Sequence, residues 1–156
     1  MIKISIHRAT SKDINKLAVL MCHLAEYEKL PSPGKMIKKR LQPYLSKTEP
    51  KIYALLAMDG DKAVGYALYF YTFSSFLLRP TLFLEDLFIL KEYRRLGIGE
   101  NLFNECVKIG KKKGCARMEW VVLDWNKPAH HFYRKTGARI LKEWIPYRLK
   151  LRKSAF

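Results

Sequence analysis

Acidic residues are scarce in this chain. Its 156 residues carry 14 Asp and Glu against 30 Lys and Arg, a formal charge of +16 at pH 7. Such a field favours polyanions. The basic residues are nevertheless spread from Lys3 to Lys153, with local concentrations at residues 38–40, 94–95, 111–113 and 150–153. That distribution reads as solvated faces rather than one binding stripe, and the motifs of nucleic-acid modules are missing, so no specific nucleic-acid partner is expected. Cysteine is sparse too. Cys22, Cys106 and Cys115 are odd in number and show no C-x-x-C spacing, so neither a disulfide framework nor a zinc site is indicated, which suits reduced thiols in a cytoplasmic protein. Long apolar runs are absent. None approaches the ~20 residues needed to span a bilayer, so no membrane partner is expected. Residues 1–6 alternate as a strand does, without the basic and long apolar regions of a signal peptide. No Ser-His-Asp arrangement and no Walker loop occurs, which sets hydrolases and kinases aside. His130 and His131 point about 100° apart on a helix and have no partner at ligand spacing, so no metal is expected.

The 49% apolar content is patterned, and 156 residues suit one domain. We therefore expect a single domain over residues 1–156. Ile2, Ile4 and Ile6 alternate as a strand. Thr10, Ser11 and Asp13 supply capping chemistry for a helix carrying Ile14, Leu17, Ala18, Met21, Leu24 and Ala25, ending near Lys29. Pro31 to Gly34 break it, and a shorter helix with Met36, Ile37, Leu41 and Leu45 follows. Residues 52–58 and 63–73 are β-rich runs around Asp59-Gly60-Asp61-Lys62, which predicts a hairpin. A strand over residues 81–90, a helix ending at Gly114, a strand over 118–123, a helix capped by Asn126 and closed by Gly137, and a last strand over 139–151 complete the order.

The most informative stretch is Arg94-Arg95-Leu96-Gly97-Ile98-Gly99-Glu100. It joins the apolar run Leu87-Phe88-Ile89-Leu90 to a helix with Ile98, Leu102, Phe103, Cys106 and Val107 at helical spacing. Two glycines at a helix start let an anion reach free backbone N–H groups, where the helix dipole also favours phosphate oxygens. The stretch therefore reads as a phosphate cradle.

Three further segments occur around it: Leu24-Ala25-Glu26-Tyr27-Glu28, Leu84-Glu85-Asp86-Leu87-Phe88-Ile89, and Trp125-Asn126-Lys127-Pro128 through Phe132-Tyr133 to Gly137-Ala138. With these, the chain resembles the GNAT superfamily of acetyl-CoA-dependent N-acetyltransferases, and within it the diamine (spermidine/spermine) acetyltransferase branch. The superfamily signature is Gln or Arg, two residues, Gly, one residue, then Gly or Ala. Arg94, Gly97 and Gly99 fill it. The resemblance implies an α/β (α+β) fold with a mixed, mostly antiparallel central sheet flanked by helices, in the order β-α-α-β-β-β-α-β-α-β. It also implies acetyl-CoA as cosubstrate, a small amine as acceptor and a homodimer.

Transfer to an amine needs its lone pair, and an alkylammonium has a pKa near ~10.4, so a proton must be removed. The resemblance implies Glu85 as base or cation anchor, directly or through water, and Tyr27, Glu28 and Asp86 beside it as acceptor-binding residues. Leu87, Phe88 and Ile89 then offer backbone groups to the pantetheine arm. Arg94, Arg95, Leu96, Gly97, Ile98, Gly99 and Glu100 wrap the pyrophosphate, and Asn126 contacts the arm. Tyr133 also lies at the cofactor and is implied as general acid, a phenol that stays protonated at neutral pH. The acceptor reads as a diamine, polyamine or lysine-like amine. A protein or peptide amine, and a non-enzymatic module that senses acetyl-CoA or docks on nucleic acid, are the alternatives.

Overall fold

The computed structural model describes residues 3–45 and 48–151. Two compact units divide the chain, Met1–Trp120 and Val121–Phe156, and each is described by itself.

The first unit is built on a five-stranded sheet in the order β1-β2-β3-β4-β5. Strand β1 is Ile4–Arg8, β2 Tyr53–Asp59, β3 Lys62–Ser74, β4 Arg79–Ile89 and β5 Arg117–Glu119. The first four pair antiparallel, and β5 joins β4 in parallel through Thr81, Leu82 and Phe83 only. Helix α1, Ile14–Tyr27, follows directly on a 3-10 turn, Ser11–Asp13, which carries the expected capping box: the Thr10 N–H donates to Asp13 Oδ2 at 2.9 Å and Thr10 Oγ1 accepts from Lys12 N. A short α2, Ile37–Leu41, runs into a 3-10 turn that holds Pro43. Helix α3 is Ile98–Lys112, with Gly114 just beyond its end at φ +75°.

Each face of the sheet is covered by helix. On one, Leu17 and Leu20 of α1 and Leu41 of α2 pack with Leu56, Tyr66, Leu68 and Phe88. On the other lie Ile98, Leu102, Phe103 and Cys106 of α3, all buried, with Leu82 against Gly110. Side chains this deep contribute roughly 1.5–3 kcal/mol each, which is what seats α1 and α3 on the strands.

Pairing slips once between β3 and β4. Leu68 pairs with Asp86 and Tyr69 with Leu84, so Glu85 is the extra residue of a β-bulge. Alternation along β4 changes phase there. Leu82 and Leu84 face α3, whereas Asp86 and Phe88 face α1 with Tyr66 and Leu68.

The second unit contains helix α4, Lys127–Lys135, capped by Asn126, whose Oδ1 accepts from Ala129 N at 3.3 Å, with Pro128 in its first turn. Gly137, at φ +83°, follows the helix end. Two expected strands differ here. The one predicted over 118–123 is shortened to β5. The one predicted over 139–151 does not form among the described residues, which lie there as irregular chain. Alternation such as Tyr147-Arg148-Leu149-Lys150-Leu151 records which side chains share a face, but a strand also needs a partner, and the described part of this unit holds none. Pro146 further removes one donor.

Candidate active site

Three carboxylates converge where α1 ends against β4. Glu85 is exposed at the bulge, Asp86 is half-buried on the α1 face, and Glu28 is the half-buried residue that ends α1. Burial, first, and the charges of Glu85 and Glu28 raise the Asp86 carboxyl to about 6, although a hydrogen bond from the Tyr66 hydroxyl to Oδ2 at 2.9 Å opposes that rise. Burial and Glu85 raise Glu28 as well. In a chain of charge +16 these groups form a local acidic site, suited to a cation.

An aromatic wall borders it. The Tyr27 and Phe88 rings are 6.5 Å apart, and those of Tyr66 and Phe88 6.4 Å. Arg94 folds back over this wall rather than pointing away with the cradle. Its Cζ lies 4.6 Å from the Tyr27 ring centre and 5.7 Å from that of Phe88, while Nε donates to the Ile89 carbonyl at 3.0 Å. Arg94 thus ties the strand end to the loop that starts α3.

The loop follows a 3-10 turn at Lys91–Tyr93. Arg95 adopts φ +64° and Gly97 φ +75°. Gly97 is the N-cap of α3 and brings no capping side chain, so the first amides of the helix have no intrahelical acceptor. A Cβ on Gly97 would meet nothing within 4 Å, and one on Gly99 only Ile89 Cγ1 at 3.7 Å. Space therefore remains open at both glycines. Ile98 is buried and anchors the helix start, while Leu96 and Glu100 are exposed. Leu87 pairs with Ala67 of β3, and on its other side, among the described residues, no strand of the sheet flanks residues 84–89, because β5 stops pairing at Phe83. An unpartnered strand edge next to an open helix start fits a ligand with an extended arm and a diphosphate.

In the second unit, Asn126 and Tyr133 are seven residues apart, two turns of α4. The Tyr133 ring lies edge-on to Phe132 at 5.1 Å, and its carbonyl accepts from Thr136 Oγ1 at 2.7 Å. His130 Nε2 is 3.1 Å from the Leu123 carbonyl oxygen. Among the described residues there is no cluster of three or more metal-ligating side chains, and no helix is long and apolar enough to cross a membrane.

The structure brings Tyr27, Glu28, Glu85 and Asp86 together at one place with Phe88 and Arg94. Sequence reading missed the bulge at Glu85, the left-handed Arg95, the stacked Arg94 and the hydroxyl of Tyr66. A tyrosine within Ala63-Val64-Gly65-Tyr66-Ala67-Leu68 looks like core, and bulges leave no local mark.

Comparisons with known proteins give the family and the fold. The pattern of the acetyltransferase (GNAT) family matches residues 18–138. The thialysine N-epsilon-acetyltransferase of Sus scrofa is 32% identical, over 96% of this chain and 94% of its own. The L-ornithine N5-acetyltransferase of Arabidopsis thaliana is 41% identical over a shorter stretch, 54% of this chain and 37% of its own. In fold, the crystal structure of a probable acetyltransferase superposes with a TM-score of 0.83 at 23% identity, covering 96% of this chain and 99% of that one. The chain belongs to the acetyltransferase (GNAT) family, whose members use acetyl-CoA as cosubstrate.

Proposed function

We propose that this enzyme acetylates the terminal amine of a small cationic acceptor, a lysine-like amino acid or a short diamine or polyamine. The observation that carries the reading is the cluster of Glu28, Glu85 and Asp86 in an otherwise strongly basic chain. A long polycation is repelled by such a chain at range, whereas a short acceptor samples the local acidic site. The names of the thialysine and ornithine enzymes describe acceptors of that kind.

Acetyl-CoA supplies an activated acetyl thioester. The backbone of residues 94–100 holds its diphosphate, with Arg95 adding charge, and Leu87, Phe88 and Ile89 offer main-chain groups to the arm, as does the side chain of Asn126. The Leu87 N–H steadies negative charge on the carbonyl oxygen, a type of contact worth about 3 kcal/mol when aimed at the transition state. Asp86, Glu28 and Tyr27 hold the acceptor's positive charge, and Glu85 takes the proton of the attacking amine, directly or through water. The Tyr133 phenol returns a proton to the departing thiolate sulfur.

The family match crosses the boundary between the two units, which supports treating residues 1–156 as one acetyltransferase domain. A cytoplasmic homodimer completes the reading. Exposed Phe73, Phe76 and Leu78 around the β3–β4 turn are surface that a second copy would cover. The decisive experiment measures coenzyme A release with amines of graded length and charge. Turnover that peaks with short dications or lysine-like acceptors is expected, and turnover only with peptide amines, or none, overturns it.

A further inference from the structure

Tyr66 is wholly buried, and its ring belongs to the core with Leu17, Leu20, Leu56, Leu68 and Phe88. A phenylalanine would fill that space. A buried hydroxyl is costly unless it is bonded, and this one bonds to the carboxylate of Asp86. The bond exists because of the bulge at Glu85. Were Glu85 instead paired in regular register with Leu68, alternation from Leu84 would turn Asp86 toward α3, away from Tyr66.

We propose that Tyr66 is a positioning residue of the acceptor site, its hydroxyl fixing the Asp86 carboxylate in one pose and in its charged form to receive a cationic amine. The inference rests on the reading of Glu85 and Asp86 given above and adds a residue to it. Glu85 from β4 and Glu28 at the end of α1 both disfavour charge on Asp86. Tyr27 of α1 and Arg94 of the loop border the same wall. Against two neighbouring negative charges, the donor on Tyr66 keeps this carboxylate ionised near neutral pH.

The test is a double-mutant cycle of Tyr66→Phe and Asp86→Asn, with kinetics on a lysine-like amine and a pH titration of the protein carbon-13 labelled at its aspartate carboxyls. In the Asp86 background, Tyr66→Phe should raise the KM for the amine about tenfold, with kcat within twofold and the KM for acetyl-CoA unchanged. The Asp86 titration should move up by about one unit, because the lost donor favoured the charged form. In the Asp86→Asn background, Tyr66→Phe should change the amine KM by less than about twofold. An equal loss in both backgrounds, or an unmoved titration, overturns the proposal. Absence of turnover with every amine overturns the acceptor reading instead, while the titration still decides whether Tyr66 controls Asp86.

Discussion

In the proposed mechanism Glu85 and Tyr133 carry opposite halves of the proton bookkeeping, and their surroundings suit those halves. Glu85 is exposed at a bulge, where its carboxylate is accessible to an incoming amine. Tyr133 sits on α4 with its ring against Phe132, a setting that holds the side chain by packing and leaves its hydroxyl as the chemically distinctive group. Replacing it by phenylalanine keeps the packing and removes only the donor. Tyr133→Phe is therefore expected to lower kcat by at least about tenfold, while calorimetric titration gives an unchanged affinity for coenzyme A. Turnover equal to wild type would remove Tyr133 from the acid role and leave it a packing residue of α4.

Elements place the remaining groups, and here legibility in the sequence was uneven. The helix starts were readable because capping is local: Thr10 with Asp13, and Asn126 with Pro128, act within one turn. The hairpin around Gly60 and the glycine stretch before α3 were readable for the same reason. What escaped depends on contacts far apart in sequence. Glu85 becomes a bulge only because β3 pairs out of step with β4, and Tyr66 matters only because Asp86, 20 residues later, is turned to meet it. The expected strand over 139–151 failed on the same ground, since alternation cannot name a partner. The loop before α3 gives the prediction at this scale. Gly97 holds φ +75°, a region that costs other residues roughly 1–2 kcal/mol, and the amides it presents depend on that conformation. Gly97→Ala should weaken coenzyme A binding about tenfold or more, and Arg95→Lys, which keeps the charge and the backbone, by less than about threefold. Calorimetric titration of both variants checks the order; a larger loss for Arg95→Lys would mean that side-chain charge, not the main chain, holds the diphosphate.

For the molecule as a whole, the site carries a stability penalty that pH should expose. Asp86 has its carboxyl raised from 3.8 to about 6, chiefly by burial. Between those values the folded protein holds a proton that the unfolded chain has released, so stability falls as pH rises through this window and stays lower above it. At about 1.4 kcal/mol per unit, the penalty is on the order of 2–3 kcal/mol near neutrality. Asp13, lowered by its hydrogen bonds to Thr10 and by His7, acts in the other direction, favouring the fold once pH exceeds its unfolded value. Comparing one substitution with wild type isolates the Asp86 contribution from these others. Asp86→Asn keeps an acceptor for the Tyr66 hydroxyl and removes the charge. Its melting temperature should exceed that of wild type by roughly 5–10 °C at pH 7.5, with the difference shrinking toward zero near pH 4. A gain independent of pH would mean that the asparagine simply packs better. A loss at pH 7.5 would mean that the charged carboxylate is a net stabilising group, and that the acceptor site is not held at the expense of the fold.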